Sequence, residues 1–312
     1  MENLILSLNV VLPLFLMIVL GYGLKTVKLF DEHTVSQMNT VVFKVFLPLL
    51  LFINVYQTDV KGVFNLGLIL FAVGSVLSIF LLSWVSILLI EKDNRKRGAL
   101  IQGIFRSNFV IFGIPVTTAL FGSDAIGATA LLVAVVVPLF NMLAVITLET
   151  FRGSKINVKK IVTGIITNHM ILGTVIGMFF LVLGWKLPFA IEKSILDLSK
   201  VTTPLALVIL GASFTFSSVR GNVKNVCIGV LGKLVLSPII FLPIAIAFGF
   251  RGVNLGILLA IFGSPTAVSS FSMAKQMDAD ADLAGQLVVF GSMLSVVTMF
   301  VWIFILKQGG FI

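Results

Sequence analysis

The chain has 312 residues, of which 58% are hydrophobic and 11% charged, with a mean hydropathy of +1.15 and a net charge of +9. This composition excludes a soluble globular domain and predicts a polytopic membrane protein. The basic residues lie in short loops between apolar runs, a pattern of membrane topology and not of nucleic-acid binding. The single cysteine, Cys227, allows no disulfide within the chain, and no ligand spacing indicates a metal or another cofactor.

The predicted fold class is an all-α membrane protein with ten transmembrane helices, because a crossing helix needs ~20 apolar residues. The spans are predicted at residues 4–24, 33–56, 65–90, 98–121, 125–149, 161–184, 194–216, 223–249, 252–274 and 282–306. The first run lacks the basic start and the cleavage site of a signal peptide, so it is expected to remain as a span.

Lysine and arginine are more frequent in the loops that follow odd-numbered spans than in those that follow even-numbered spans. Positive charge is retained on the cytoplasmic side of a membrane. We therefore expect a multi-pass protein of the cell membrane with both termini outside.

The fourth and ninth spans each contain a sequence that disfavours a continuous helix. Gly113 precedes Pro115 by two residues in the fourth span, and Gly263 precedes Pro265 in the same way in the ninth. Proline removes a backbone donor and clashes with the preceding turn, so it frees carbonyls that lipid cannot satisfy. Two broken spans at corresponding positions indicate the binding site of a secondary transporter.

The two halves of the chain repeat. The sequence around Pro48 in the second span resembles that around Pro204 in the seventh, and the glycine–proline pair of the fourth span recurs in the ninth. Five spans is an odd number, so the second copy enters the membrane with opposite polarity. We predict a first repeat at 1–150, a cytoplasmic linker at 151–160 and a second, inverted repeat at 161–312, with the two breaks meeting near the midplane.

Polar and small residues surround both breaks and form the candidate substrate site. The predicted set is Asn108, Arg106, Gly113, Pro115, Ser264, Pro265, Thr266, Ser269 and Ser270. A charge at the depth of Arg106 costs a few kcal/mol unless it faces water or a partner, so it either anchors a substrate carboxylate or snorkels to the headgroups. The amide of Asn108 is able to donate to substrate and to cap freed backbone.

Other polar residues within the spans are interpreted as structural. Lys44 and Lys233 are expected to snorkel toward the cytoplasmic surface. His169 is interpreted as a packing residue, with a proton shuttle as the alternative. Three lone amides are interpreted as helix-to-helix contacts, with a secondary polar contact at the site as the alternative, and they are Asn54, Asn141 and Gln286.

Every acidic residue falls in a loop or at the end of a span. A carrier of protons or metal cations would be expected to hold carboxylates near the midplane, because a cation at depth needs a neutralising partner. The half-helices that start at the breaks carry about half a positive charge at their N-terminal ends. The sequence therefore predicts an organic anion as substrate.

Three motifs, at residues 108–115, 204–213 and 264–271, resemble the signatures of the auxin efflux carrier family. Some bacterial members are described as malate permeases, and this chain, without a long central hydrophilic loop, is similar to those. The resemblance implies the PIN-like fold of two inverted five-helix repeats. Helices 1, 2, 6 and 7 would form a scaffold that makes a homodimer, and helices 3–5 and 8–10 a mobile transport domain.

The resemblance also implies uniport or secondary transport of malate-like carboxylates or auxin-like monocarboxylates, without ATP, by an elevator-type alternating-access mechanism. Asn108 would bind substrate beside the crossing of helices four and nine. In the family the sixth helix often begins with Asn-Pro, whereas here Asn168 is followed by His169.

Three other functions are weighed against this one. A cation- or proton-coupled antiporter or symporter has the same architecture, and sodium coupling stays open because hydroxyls and unwound carbonyls are able to hold the ion. An intramembrane enzyme needs a paired acid and base or a metal cluster at depth, and the sequence contains no such pattern. A channel needs a continuous pore, which paired broken helices do not favour.

Overall fold

The structure is a computed structural model that describes residues 2–57, 65–122, 124–152 and 158–312. The described chain folds into helices. In order they are α1 (Glu2–Thr26), α2 (Glu32–Tyr56), α3 (Leu66–Ile90), α4 (Asn94–Phe105), α5 (Phe109–Phe121), α6 (Asp124–Phe151), α7 (Val158–Ile166), α8 (His169–Leu183), α9 (Phe189–Ser213), α10 (Phe216–Ala247), α11 (Gly252–Gly263), α12 (Ser269–Gln276) and α13 (Ala281–Gln308).

Six of these helices are long and apolar enough to cross a bilayer, namely α2, α3, α6, α9, α10 and α13. Four shorter apolar helical segments accompany them, at Val11–Thr26, Phe109–Phe121, His169–Leu183 and Gly252–Gly263. This confirms a polytopic, helical membrane protein. The number of ten crossings and the inverted repeat stay predictions.

The fourth predicted span is broken, as expected, but not at the predicted residues. The break is at 106–108, between α4 and α5, where Arg106 has extended backbone (φ −84°, ψ 119°). Gly113 and Pro115 lie inside α5. The prediction that they form the break is wrong, because a proline within a helix frees backbone groups only in the preceding turn and does not have to end the helix.

The break in the ninth predicted span lies where the sequence placed it. α11 ends at Gly263, and the chain is extended from Ser264 (φ −67°, ψ 149°) before α12 begins at Ser269. Pro265 lies within this break. The prediction for this span is confirmed.

The sixth predicted span, 161–184, is also two helices, α7 and α8. They are separated at Asn168, whose side-chain oxygen accepts a hydrogen bond from the backbone N–H of Met170 at 2.9 Å and so caps α8. Of the predicted linker at 151–160, residues 153–157 lie outside the described residues.

Two pairs of helices approach each other closely through glycine. A Cβ on Gly21 of α1 would lie 1.9 Å from the backbone oxygen of Val208 in α9, and one on Gly173 of α8 would lie 2.5 Å from the backbone oxygen of Pro48 in α2. Small residues are the usual means by which membrane helices pack closely. The first, second, sixth and seventh predicted spans are therefore joined in two tightly packed pairs, α1 with α9 and α2 with α8.

Candidate functional site

The two breaks meet and satisfy each other's backbone groups. Ser107 and Thr266 form an isolated antiparallel β-bridge, and the backbone N–H of Asn108 donates to the carbonyl of Pro265 at 2.8 Å. The hydroxyl of Thr266 donates to the carbonyl of Gly103 at 2.7 Å. Non-helical backbone is tolerated at membrane depth only where protein covers it or water reaches it. Here each break provides hydrogen-bond partners for the other.

A side chain adds a further bond across the crossing. The amide nitrogen of Gln102 in α4 donates to the backbone oxygen of Ser270 in α12 at 3.1 Å. Gln102 is fully buried. The second half of the ninth span is thus bound to the first half of the fourth.

Arg106 lies buried at this crossing, with 3% of its surface exposed. Its guanidinium donates to the side-chain oxygen of Asn141 in α6, to the hydroxyl of Ser269 at 2.7 Å and to the sulfur of Met273 at 2.7 Å. All three acceptors are neutral. Among the described side chains, at residues 11–57, 65–122, 125–152 and 162–312, no carboxylate lies within ion-pair distance of Arg106. The alternative that Arg106 snorkels to the headgroups is wrong, because its acceptors hold it inside the protein.

Asn108 also faces the interior. Its side chain does not cap α5, although it occupies the N-cap position, and its buried amide nitrogen has no hydrogen-bond partner. The buried hydroxyl of Ser107 likewise has none. A buried polar group without a partner costs about 1–3 kcal/mol, so such groups in a native protein often await a ligand or water.

A cavity of about 80 Å³ lies against the break in the fourth span. One water molecule needs roughly 10–15 Å³ measured in this way, so the space is large enough for several waters or a small carboxylate. One wall comes from the crossing and α6, and the other from α2, α8 and α9. Its polar lining consists of Asn54, Arg106, Ser107, Asn108, Asn141, Thr202, Thr203 and Ser269.

Three of the nine predicted site residues line this cavity: Arg106, Asn108 and Ser269. Ser264 and Thr266 lie in the crossing, but their hydroxyls donate to backbone carbonyls, that of Ser264 to Ala260 at 2.5 Å. The other four predicted residues do not line the cavity, and they are Gly113, Pro115, Pro265 and Ser270.

Sequence reasoning assigned Asn141 to helix packing and did not consider Thr202 or Thr203. Asn141 both accepts from Arg106 and donates to the carbonyl of Val137, one turn earlier, at 2.8 Å. The two threonines directly precede Pro204, the first residue of the motif at residues 204–213. Their position next to this motif is a sequence signal that they lie near the site. The pairing of Asn141 with Arg106 depends on the tertiary structure and has no such signal.

The cavity also lies at the start of two helices. Phe109, Val110 and Ile111 from the first turn of α5 line it, as does Ser269, the first residue of α12. Each helix carries about half a positive charge at its N-terminus. Together with the guanidinium of Arg106, these helix ends make the site favourable for an anion.

The two lysines within the spans behave differently. Both lie in π-helical segments, Lys44 at Val42–Phe46 within α2 and Lys233 at Gly232–Leu236 within α10. Lys44 is exposed, whereas Lys233 is 1% exposed and donates to the carbonyl of Ile261 at 3.3 Å. The prediction that Lys233 snorkels is wrong, because the helices around it leave its ammonium group no exposed route to the surface.

Gln286 makes a contact between helices, as the sequence predicts. Its amide nitrogen in α13 donates to the hydroxyl of Ser218 in α10 at 2.9 Å, which is a contact between helices. His169 is exposed at the start of α8 and lies outside the cavity at the crossing.

Comparison with known proteins gives a family match over most of the chain. A sequence model of a family described as membrane transport protein matches residues 6–161 and 154–303. The chain is 26% identical over 302 residues to an uncharacterized transporter of Methanothermobacter thermautotrophicus, which covers 95% of this chain and 97% of the relative. It is 21% identical over 311 residues to an uncharacterized transporter of Methanocaldococcus jannaschii, and the match covers 96% of this chain and 99% of the relative.

Proposed function

The chain belongs to the membrane transport protein family, that of the auxin efflux carriers, and on this basis we propose that it is a secondary transporter of small organic anions. The family and the relatives are transporters and not enzymes. The substrate class proposed is a malate-like carboxylate or an auxin-like monocarboxylate. Its site is the cavity beside the crossing of α4–α5 with α11–α12.

The proposal rests mainly on the burial of Arg106 among neutral hydrogen-bond acceptors. This side chain is a buried guanidinium with only neutral acceptors, in the middle of a broken span. A buried charge is costly without a counter-ion, and the cost falls when an anionic ligand supplies one. Guanidinium binds carboxylates in a two-pronged geometry that neutral acceptors cannot match. A carboxylate substrate would therefore replace weaker partners with a stronger one.

The neighbouring groups fit the same ligand. The partnerless amide nitrogen of Asn108 would donate to a second substrate oxygen, and the N-terminal ends of α5 and α12 add positive potential. Asn141 and Ser269 hold the guanidinium in position when the site is empty of substrate. Positioning by these residues limits the reorganisation that binding requires.

The location of the cavity supports alternating access by an elevator. The guanidinium of Arg106 and the amide of Asn108 come from the crossing, in the proposed transport domain of the third to fifth and eighth to tenth spans. Its opposite wall includes Leu47 and Leu50 of α2, Met170 of α8 and Thr202 of α9, in the proposed scaffold. A site at the boundary between two bodies becomes exposed on alternate sides when one body slides along the other. We further propose that the scaffold makes a homodimer.

A cation- or proton-coupled carrier of the same architecture is the second candidate. It is less well supported, because the charge beside the crossing is a guanidinium, which would repel a bound cation. Coupling of anion transport to a sodium or proton gradient is a separate property, and the uptake assay below tests it directly.

Uptake and thermal-shift measurements test the function. The purified protein in proteoliposomes should take up labelled dicarboxylates or monocarboxylates, and the same compounds should raise its unfolding temperature. Organic cations of matched size should do neither. Parallel assays with and without sodium and pH gradients measure the coupling. Stabilisation by cations alone would overturn the anion assignment.

The proposed orientation has its own test. With Cys227 replaced, a cysteine at Lys92, exposed between α3 and α4, should be protected from an impermeant thiol reagent in intact cells. A cysteine at Lys193, exposed near the start of α9, should react. The opposite labelling would place both termini in the cytoplasm.

A further inference from the structure

A second cavity lies between α2 and α8, away from the crossing. It has a volume of about 420 Å³, and none of its lining residues lines the cavity beside Arg106. Its walls are mostly apolar, and they include Leu49, Phe52, Leu172, Ile176 and Phe180. Two basic side chains, Lys44 and His169, line the same groove. We call this feature the α2–α8 groove.

Close helix packing explains the groove. Gly173 and Gly177 of α8 lie against the backbone of Pro48 and Phe52 in α2, so close that a Cβ on Gly177 would be 2.8 Å from the backbone oxygen of Phe52. The helix backbones touch there, and the larger side chains stand to either side. This arrangement produces the α2–α8 groove, whose floor and walls are apolar.

Lys44 and His169 lie just inside the level at which the exposed surface changes from polar to apolar. On α2, the exposed residues at the start of the helix include His33, Ser36 and Gln37, whereas Val41 and Val45, on either side of Lys44, are 46% and 47% exposed. On α8, the exposed residues after His169 are apolar, among them Leu172, Val175 and Ile176. Such a boundary marks the level at which a helix face enters the hydrocarbon. Lys44 lies about one turn inside this level, and its long side chain is able to extend to the lipid headgroups.

The length of the groove matches one leaflet. Eleven residues separate His169 from Phe180 along α8, and at a rise of 1.5 Å per residue they span roughly 16 Å. The hydrocarbon core of a bilayer is about 30 Å thick, so one leaflet contributes about half of that. An acyl chain that starts at His169 would end near Phe180.

We propose that the α2–α8 groove binds an anionic phospholipid, with one acyl chain along its apolar walls and the headgroup phosphate at the Lys44 ammonium and the His169 ring. Basic pockets between transmembrane helices are typical sites for anionic headgroups. Among the described residues, neither Lys44 nor His169 has an ion-pair partner, so both are available to a phosphate. The inference does not depend on the identity of the transported anion.

A second copy of the chain fits this groove less well. A two-fold interface centred on it would bring Lys44 and His169 of one copy against the same residues of the other. Like charges placed together across an interface are unfavourable. A phosphate head with an apolar tail instead complements both the basic end and the apolar walls.

The lipid would act on the opposite face of the same helices. α2 carries Leu47, Leu50 and Asn54 of the cavity beside Arg106, and α8 carries Met170. A bound chain would hold α2 and α8 in one relative position, and so would fix that wall of the transport site.

Lipid titration of the purified protein tests the inference. In a neutral detergent, phosphatidylglycerol should raise the unfolding temperature more than phosphatidylcholine, and native mass spectrometry should detect the bound lipid. Glycerophosphoglycerol, which has the same headgroup without chains, should have no effect. Lys44→Gln should weaken phosphatidylglycerol binding about tenfold, since it loses a charge-assisted contact. Lys224→Gln, a change at another exposed lysine, should leave binding unchanged.

Variants of the apolar walls separate the outcomes. Ile176→Trp should fill the groove and reduce binding of both lipids, whereas Met178→Trp, at an exposed position of α8 outside the groove, should not. If Ile176→Trp does not fold, the double variant Lys44→Gln/His169→Gln, with both changes on exposed side chains, decides the matter. Wild-type lipid binding in the groove variants would overturn the inference. So would conversion of a dimer to a monomer by Ile176→Trp with lipid binding intact, because the groove would then be a subunit interface.

Discussion

The breaks in the fourth and ninth predicted spans use their polar residues in different ways. In the first break, Arg106 and Asn108 face the cavity, and the amide nitrogen of Asn108 has no protein partner. In the second, the hydroxyls of Ser264 and Thr266 both donate to backbone carbonyls. The first break therefore presents groups for a ligand, whereas the second holds the crossing together.

The contacts between the breaks explain this division. The carbonyl of Pro265 accepts from the backbone of Asn108, and the hydroxyl of Thr266 reaches back to the carbonyl of Gly103 in the last turn of α4. With its backbone supported in this way, the first break does not need its own side chains for capping. Its amide and its guanidinium are left for recognition. Symmetry in sequence thus does not require symmetry in function.

Arg106→Gln should have the largest effect on transport. It removes the guanidinium charge from the cavity and with it a charge-assisted pair worth ~1.5–3 kcal/mol, so affinity for a dicarboxylate should fall about ten- to a hundredfold. A monocarboxylate should lose less, since Asn108 and the helix ends remain. Arg106→Lys should recover part of the affinity, and Arg220→Gln, at an exposed arginine, should be neutral. Titration calorimetry with both anion classes measures the difference, and equal losses for the two would contradict the assigned role.

Asn108→Ala should weaken substrate binding about tenfold without lowering stability. The amide nitrogen has no partner within the protein, so its removal breaks no bond that supports the fold. A hydrogen bond to a charged ligand is worth ~1.5–3 kcal/mol. Comparison of the ligand dissociation constant with the unfolding temperature of the ligand-free protein separates the two effects. A large drop in that unfolding temperature would instead indicate that Asn108 is structural.

Thr266→Val should have the reverse pattern. It leaves the buried carbonyl of Gly103 without this donor, at a cost of about 1–3 kcal/mol, and the two side chains are similar in size. Unfolding should occur at a lower temperature, while the dissociation constant of substrate, measured well below that temperature, should change little. Thr298→Val is a matched control, since the hydroxyl of Thr298 is exposed on α13. A strong loss of affinity with normal stability would place Thr266 in the substrate site.

These contrasts also separate what the sequence predicts from what needs the structure. Hydropathy is a local property, so the helical membrane fold and the approximate position of both breaks are predictable, as is a polar cluster with Arg106, Asn108 and Ser269. The other wall of the cavity depends on how distant helices pack. Met170 in α8 carries no local sign that it faces the crossing.

The same reasoning explains why Pro115 was taken for the break. Proline is the strongest local signal of an interrupted helix, but a helix is also ended by bonds that its backbone makes elsewhere. Here the bridge between Ser107 and Thr266 and the bond from Asn108 to Pro265 end the regular helix before the proline is reached. Those partners lie far along the chain, and no local pattern identifies them.

The smallest effect is expected from Pro115→Ala, and its comparison with Pro265→Ala tests the division between the breaks. Pro115 lies within α5, so alanine only allows one more helical hydrogen bond in a helix that is already formed. Uptake should stay within about twofold of wild type, and the unfolding temperature should be equal or higher, since proline is less favourable than alanine in a helix interior.

Pro265 lies in the second break itself. Alanine there introduces a backbone N–H into a buried segment and permits α11 to continue past Gly263, which would displace the carbonyl that accepts from Asn108. Initial uptake rates in proteoliposomes should therefore fall much more for Pro265→Ala than for Pro115→Ala. Equal and severe losses in both variants would show that Pro115 also shapes the site, and the two breaks would then have more nearly equivalent roles.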